Sequence, residues 1–212
     1  MSNISKALEV SDYLVVDDIF SEDNYKIIKD FFNKTTWVHT PETNDHSKMN
    51  ATREELLQDY GFTRLLYSNN QSDDPMIAQM FLDNVKQVFD VHHLDRIKAG
   101  LFTPSESEIL HWPHVDNALP HWTALYYFST EEDAGHTYIY NQKFDPYMYK
   151  NPYEQWLQTK DKFEVQEKIQ TKENRVVFFK GNVYHASSRP RNVFKRIAVN
   201  VNFFGHPKTD DS

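Results

Sequence analysis

Apolar residues in this chain recur with two periods, and the change from one to the other falls near His92. In the first part, Tyr25, Ile28 and Phe31/Phe32 recur at helical spacing behind Ser21, Glu22 and Asp23, a cap with first-turn acids. The β-prone run Tyr13 to Val16 precedes them, so the pattern predicts a strand followed by an amphipathic helix to about Asn33. Asp74-Pro75 is a second cap with a first-turn proline, and Ile77, Met80/Phe81, Val85 and Val88 form the stripe behind it, which reads as core packing. Between these helices, Thr35 to Thr52 is polar and predicts an exposed loop, Phe62 to Tyr67 a strand, and Asn69-Asn70-Gln71-Ser72 a turn.

From His92 onward short β-prone runs replace the helical period. Arg96 to Phe102, Ile109 to His111, Trp122 to Ser129, His136 to Asn141, Arg175 to Lys180 and Lys195 to Phe204 are separated by turn-rich segments. Leu125-Tyr126-Tyr127-Phe128 and Val176-Val177-Phe178-Phe179 are continuous apolar runs, suited to strands covered on both faces. The last run alternates instead: Ile197, Val199, Val201 and Phe203 share one face, and Arg196, Ala198, Asn200 and Asn202 the other. A half-polar inner face is costly in an apolar core and natural in a strand lining a polar cavity. From Gln142 to Asn174 runs a long insertion, with one short helix predicted at Asn151-Pro152 and carrying Trp156.

These elements predict one domain over residues 1–212, with helical and strand support in 1–92 and a jelly-roll core in 93–205. The fold class is α+β, a double-stranded β-helix of cupin type flanked by N-terminal helices. Composition narrows the function more than the fold. A balance of 23 basic against 31 acidic residues, net charge -8, argues against nucleic acid or an anionic membrane as partner. No cysteine is present, so any metal site must use His, Asp or Glu. No apolar stretch approaches the roughly 20 residues that span a bilayer, and the expectation is a soluble cytoplasmic protein.

Candidate chemistry centres on His114-Val115-Asp116. In an extended segment His114 and Asp116 lie on one face, whereas His111 has an odd offset from His114 and is expected on the other. Downstream, His185 supplies a second histidine and Arg196 a cation on the polar face of the last strand. Two histidines and one carboxylate with open positions make the facial triad that holds non-haem Fe(II). His39, His46, His92, His93, His121, His136 and His206 are left as surface or hydrogen-bonded residues, and Arg189 and Arg191 are expected in a solvated turn.

From about Arg96 to Phe204 the chain resembles the 2-oxoglutarate- and Fe(II)-dependent oxygenases, in their prolyl-hydroxylase-like branch. His114-Val115-Asp116-Asn117, the strand Thr123 to Phe128, Ala134-Gly135-His136-Thr137, His185 and Arg196 follow that family's order. Ala134 stands where the family has a first glycine. The eleven residues from His185 to Arg196 require a bulge or a longer turn around Arg189-Pro190-Arg191. The resemblance implies His114, Asp116 and His185 as Fe(II) ligands, with 2-oxoglutarate and O2 as cosubstrates and no catalytic group beyond the ligands. Arg196 would bind the far carboxylate of 2-oxoglutarate, Tyr127 would add a hydroxyl donor, and Asn200 would contact cosubstrate or metal-bound water.

The function so implied is hydroxylation of a peptidyl proline or another small or peptidyl substrate, with release of succinate and CO2. A nucleic-acid demethylase of the same superfamily is one alternative, and a non-catalytic metal-binding jelly-roll module another. Neither the primary substrate nor the oligomeric state is legible from the residues.

Overall fold

The computed structural model describes residues 2–40, 60–106, 109–129 and 133–209. The two predicted N-terminal helices form where the periodicity places them. Glu22–Lys34 (α2) starts at Ser21, whose hydroxyl accepts from the Asn24 amide, and it buries Ile28 and Phe32. Pro75–Lys86 (α3) has its proline in the first turn and buries Ile77, Ala78, Phe81, Asn84 and Val85. A further helix, Ser2–Val10 (α1), was not anticipated; it seats a fully buried Leu8 in the same core.

Among the described residues, ten strands form two antiparallel sheets. The larger sheet has seven, in the order β1-β8-β5-β10-β4-β3-β2: Tyr13–Val16 (β1), Val176–Lys180 (β8), Trp122–Tyr127 (β5), Arg196–Pro207 (β10), Phe89–Phe102 (β4), Gly61–Ser68 (β3) and Val38–Thr40 (β2). The smaller has three, in the order β7-β6-β9: Val165–Gln170 (β7), His136–Lys143 (β6) and Val183–Ser187 (β9). This is a double-stranded β-helix.

The continuous apolar runs are indeed covered twice. Tyr126, Phe128, Val176 and Phe178 join the core under the helices, while Leu125, Tyr127, Val177 and Phe179 pack toward Ile139, Ile169 and Val183 of the smaller sheet. Strand β10 divides as its alternation predicts, with Ile197, Val199, Val201 and Phe203 in the helix-side core. Helix Pro152–Thr159 (α4) is capped by the Asn151 side chain, and Trp156 packs with Tyr138, Tyr140 and Tyr184 on the outer face of the smaller sheet.

Several boundaries differ from expectation. The predicted strand at Ile109 to His111 reduces, among the described residues, to an isolated bridge between Leu110 and Ser188. Within the polar segment expected as a loop, residues 38–40 pair with β3, and residues 41–52 lie outside the described residues. Strand β4 begins at Phe89, before Arg96, because the long β10 pairs with it as far as Phe89↔Pro207. Strand β7 has only Ile169 buried, so its alternation carries no signal. Gly135 adopts φ +81°, and a Cβ there would stand 2.5 Å from the Ser188 carbonyl oxygen, so this glycine is required whereas Ala134 sits fully buried beside it.

Candidate metal centre and its cavity

The segment carrying His114 and Asp116 belongs to neither sheet. It is fastened to β9 by a reciprocal pair of backbone hydrogen bonds: the His114 amide donates to the His185 carbonyl and the His185 amide to the His114 carbonyl, both at 2.9 Å. One bridge therefore joins the two histidines that the sequence holds 71 residues apart (185 − 114). Their rings stand 4.5 Å apart between centroids. Ligand atoms of His114, Asp116 and His185 all lie within 4.8 Å of one another, and His185 Nε2 is 3.7 Å from Asp116 Oδ2.

Backbone carbonyls set the tautomer of each histidine. His185 Nδ1 faces the Val183 carbonyl at 3.2 Å, and His114 Nδ1 faces the Trp112 carbonyl at 3.0 Å. A carbonyl only accepts, so Nδ1 carries the hydrogen in both rings and each Nε2 keeps its lone pair for a metal. Asp116 is held as firmly. Its Oδ1 accepts from Arg96 Nη2 at 3.1 Å, and its Oδ2 accepts from the Asn200 and Asn202 amides at 2.8 and 3.1 Å.

Burial opposes ionisation of Asp116, but nearby His185, Arg96 and His114 and the Asn200 amide outweigh it and hold the carboxyl well below the usual range. Burial first, then His114, pushes His185 down to about 4 against the pull of Asp116, so its imidazole is neutral at pH 7. A carboxylate beside a neutral imidazole is the ionisation state a divalent cation requires.

The triad opens into a cavity of about 540 Å³ between the sheets, and Arg196 lines the same cavity. Arg196 is 1% exposed, and burial lowers its pKa. Its Nε donates to Thr171 Oγ1 at 3.0 Å and its Nη2 to Thr137 Oγ1 at 3.1 Å, and its guanidinium stands 5.6 Å from the Tyr127 ring centroid. Among the described residues no carboxylate pairs with it. A buried cation partnered only by hydroxyls is costly until an anion joins it.

Tyr127 stands one step back from the cavity. Its hydroxyl donates to Thr137 Oγ1 at 2.7 Å, so Thr137 accepts from both Tyr127 and Arg196 and has its own hydrogen left for the cavity. Asn200 lines the cavity, but its amide is committed to Asp116, which makes it a support of the ligand carboxylate.

Two expectations are corrected here. His111 also lines the cavity, because its segment is not a strand and the odd-offset rule fails; its Nδ1 lies 2.7 Å from Ser187 Oγ, and it stays outside the ligand cluster. Arg189 is 3% exposed; it stacks 4.1 Å over the Tyr60 ring and donates to the Tyr60 carbonyl, so only Arg191 of that pair is at the surface. His46 lies outside the described residues.

Sequence reasoning missed Arg96 and Lys98. Their signal was present, since Arg96 and Lys98 alternate with the buried Ile97 and Ala99. Which strand lies beside them was not legible: Arg96 pairs with Asn202 and Lys98 with Asn200, which puts both cations on the cavity face of β10's neighbour.

No protein-family model matches the chain, and no curated protein matches it by sequence. Solved structures do. A prolyl hydroxylase from Trichoplax adhaerens, in complex with a hypoxia inducible factor oxygen degradation domain peptide fragment, superposes with TM-score 0.61 at 12% identity, covering 96% of this chain and 88% of that one. This is the fold of the 2-oxoglutarate-dependent oxygenases. A 2OG-Fe(II) oxygenase family oxidoreductase from Burkholderia pseudomallei gives TM-score 0.60 at 10% identity, covering 98% of this chain and 92% of that one. HygX from Streptomyces hygroscopicus, with nickel, 2-oxoglutarate and hygromycin B bound, gives 0.58 at 12%, with 96% and 86% covered. Among the described residues, no helix of the oxygenase-like fold is long and apolar enough to cross a membrane.

Proposed function

We propose that the protein is an Fe(II)- and 2-oxoglutarate-dependent oxygenase that hydroxylates a peptidyl proline or another small or peptidyl substrate. The observation that carries this reading is one cavity holding both a two-histidine, one-carboxylate cluster and a buried arginine that has no acidic partner among the described residues. The first fits a divalent metal with open positions, and the second fits the far carboxylate of a dicarboxylic cosubstrate. Solved neighbours carry a peptide in one case and hygromycin B in another, which supports a substrate of either size class.

In this reading His114, Asp116 and His185 hold the metal through two Nε2 atoms and one carboxylate. Arg96, Asn200 and Asn202 keep the carboxylate oriented and ionised. Arg196 and Thr137 hold the cosubstrate's far carboxylate, and Tyr127 fixes the Thr137 hydroxyl so that its hydrogen points to the anion. When bound, the iron and 2-oxoglutarate supply the oxidising power from O2, with succinate and CO2 as products. The chain contributes placement and a fixed charge pattern.

A demethylase acting on nucleic acid has no electrostatic support. Of the basic cluster Arg189, Arg191, Lys195 and Arg196, the first and last are buried, and the net charge is -8.

Succinate formation from 2-oxoglutarate by Fe(II)-loaded protein tests the function, since such turnover proceeds slowly even without a hydroxylated substrate. The wild type is expected to form succinate, and His185→Ala to form none. Absence of succinate from wild-type protein with a measured full complement of iron would overturn the reading.

A further inference from the structure

The metal cluster and Arg196 leave one cation in the cavity, Lys98, without a role, and a second, Arg96, only partly engaged by Asp116 and Asn202. Strand β4 turns Arg96, Lys98 and Gly100 toward the cavity at every second position, and the residues facing them across the ladder are Asn202, Asn200 and Ala198. Neither asparagine carries charge. Beyond β4 on its other side, Leu65 pairs with Lys98 and Thr63 with Gly100, so that edge supplies no acid either.

Among the described residues the cavity lining has one carboxylate, Asp116, and three side-chain cations, Arg96, Lys98 and Arg196. Asp116 belongs to the metal, and Arg196 to the cosubstrate. Arg96 spends Nη2 on Asp116 and both Nε and Nη2 on Asn202, so its Nη1 remains for a further acceptor. Lys98 has no hydrogen-bond or ion-pair partner among the described residues. Burial, then the neighbouring Arg96, lowers its pKa against the pull of Asp116, as expected of an ammonium lacking a counter-ion.

Resting on the oxygenase reading, we propose that Lys98 and Arg96 form a subsite for a carboxylate of the oxidised substrate. Two cations at alternate positions of one strand face the same cavity and can receive one anion together. Positions two apart on a strand are about 7 Å apart, and Arg96 touches the metal ligand Asp116. The oxidised carbon therefore sits only a few bonds from that carboxylate. Two sources share this chemistry: a small carboxylic acid, or an acidic side chain or C-terminus of a peptide. A substrate presenting a free ammonium at this point is disfavoured by both cations.

The test uses matched probes, namely N-acetyl amino acids and acidic or C-terminally free tripeptides, each against its uncharged methylamide. Affinity is read by titration calorimetry on full-length protein loaded with Ni(II) and 2-oxoglutarate, where no turnover consumes the probe. At least one acid is expected to bind about tenfold or more tightly than its methylamide. That preference is expected to collapse to within about threefold in Lys98→Met and to persist in Lys98→Arg, which keeps the charge. The probe class showing the preference identifies the source. Acids and methylamides that bind alike to the wild type, or a preference unchanged in Lys98→Met, would overturn the subsite. Failure of the oxygenase reading is seen separately, as absence of 2-oxoglutarate binding by the wild type before any probe is added.

Discussion

At the level of single residues, the proposed division of work between metal and cosubstrate rests on two polar groups that line the cavity, Asp116 and Arg196. Asp116 touches His185 and is braced by Arg96 and two asparagines, whereas among the described residues Arg196 hydrogen-bonds to hydroxyls and faces an aromatic ring. Asp116→Ala is therefore expected to weaken divalent-metal binding by about 100-fold or more, since even outer partners of a ligand are worth about 10- to 100-fold. Arg196→Ala should leave metal affinity within a few-fold and weaken 2-oxoglutarate by about 100-fold, the scale of a buried charge-assisted pair. Metal titration and 2-oxoglutarate titration of each variant separate the two losses, and equal loss of metal affinity in both would reverse the assignment. His114, Asp116, His185 and Arg196 were all legible as residue types at telling positions. Arg96 and Lys98 were not, because a cation on a strand is ordinary until the partner strand is known.

At the level of elements, the site depends on the turn that returns the chain into β6. Gly135 allows β6 to start against Ser188 at the end of β9, and the His136 amide donates to Ser188 Oγ at 2.9 Å. Gly135→Ala forces a side chain into φ +81° and against a backbone oxygen, so a loss of about 2 kcal/mol or more is expected. Denaturant midpoints measure it, and an unchanged midpoint would show that the turn relaxes freely. Alternation in β10 and the caps at Ser21 and Asn151 made those elements readable in advance. Strand β9, which carries His185, was not read as a strand, because Val183 to Ser187 is buried at four of five positions and short enough to pass for a turn between longer runs.

For the whole molecule, long-range ion pairs fasten the N-terminal segment to the barrel. Asp17, just after β1, binds Arg175 at 2.6 Å and Lys172 at 2.6 Å, both of which precede β8. The Arg175 hydrogen bond outweighs partial burial and, with Lys172, holds the Asp17 carboxyl at about 2, below its ordinary 3.8. A depressed carboxyl stabilises the fold fully above the unfolded value and loses that contribution as pH falls through the folded one. Asp17→Asn should thus lower stability at pH 6 by less than about 1 kcal/mol, because Asp17 is a third exposed, with the gap to wild type narrowing by pH 3. Chemical denaturation at the two pH values gives the sign, and a gap that widens in acid would contradict it.

The sequence by itself determined which residues can ligate a metal, which strand faces are apolar, and where helices start, because these depend on local chemistry and on periods of 2 and 3.6 residues. Only the tertiary structure decided the company each residue keeps. His114 meets His185 through a single bridge, and the polar face of β10 lies beside Arg96 and Lys98 through strand register. Register is set by pairing between segments about a hundred residues apart, which no local pattern records.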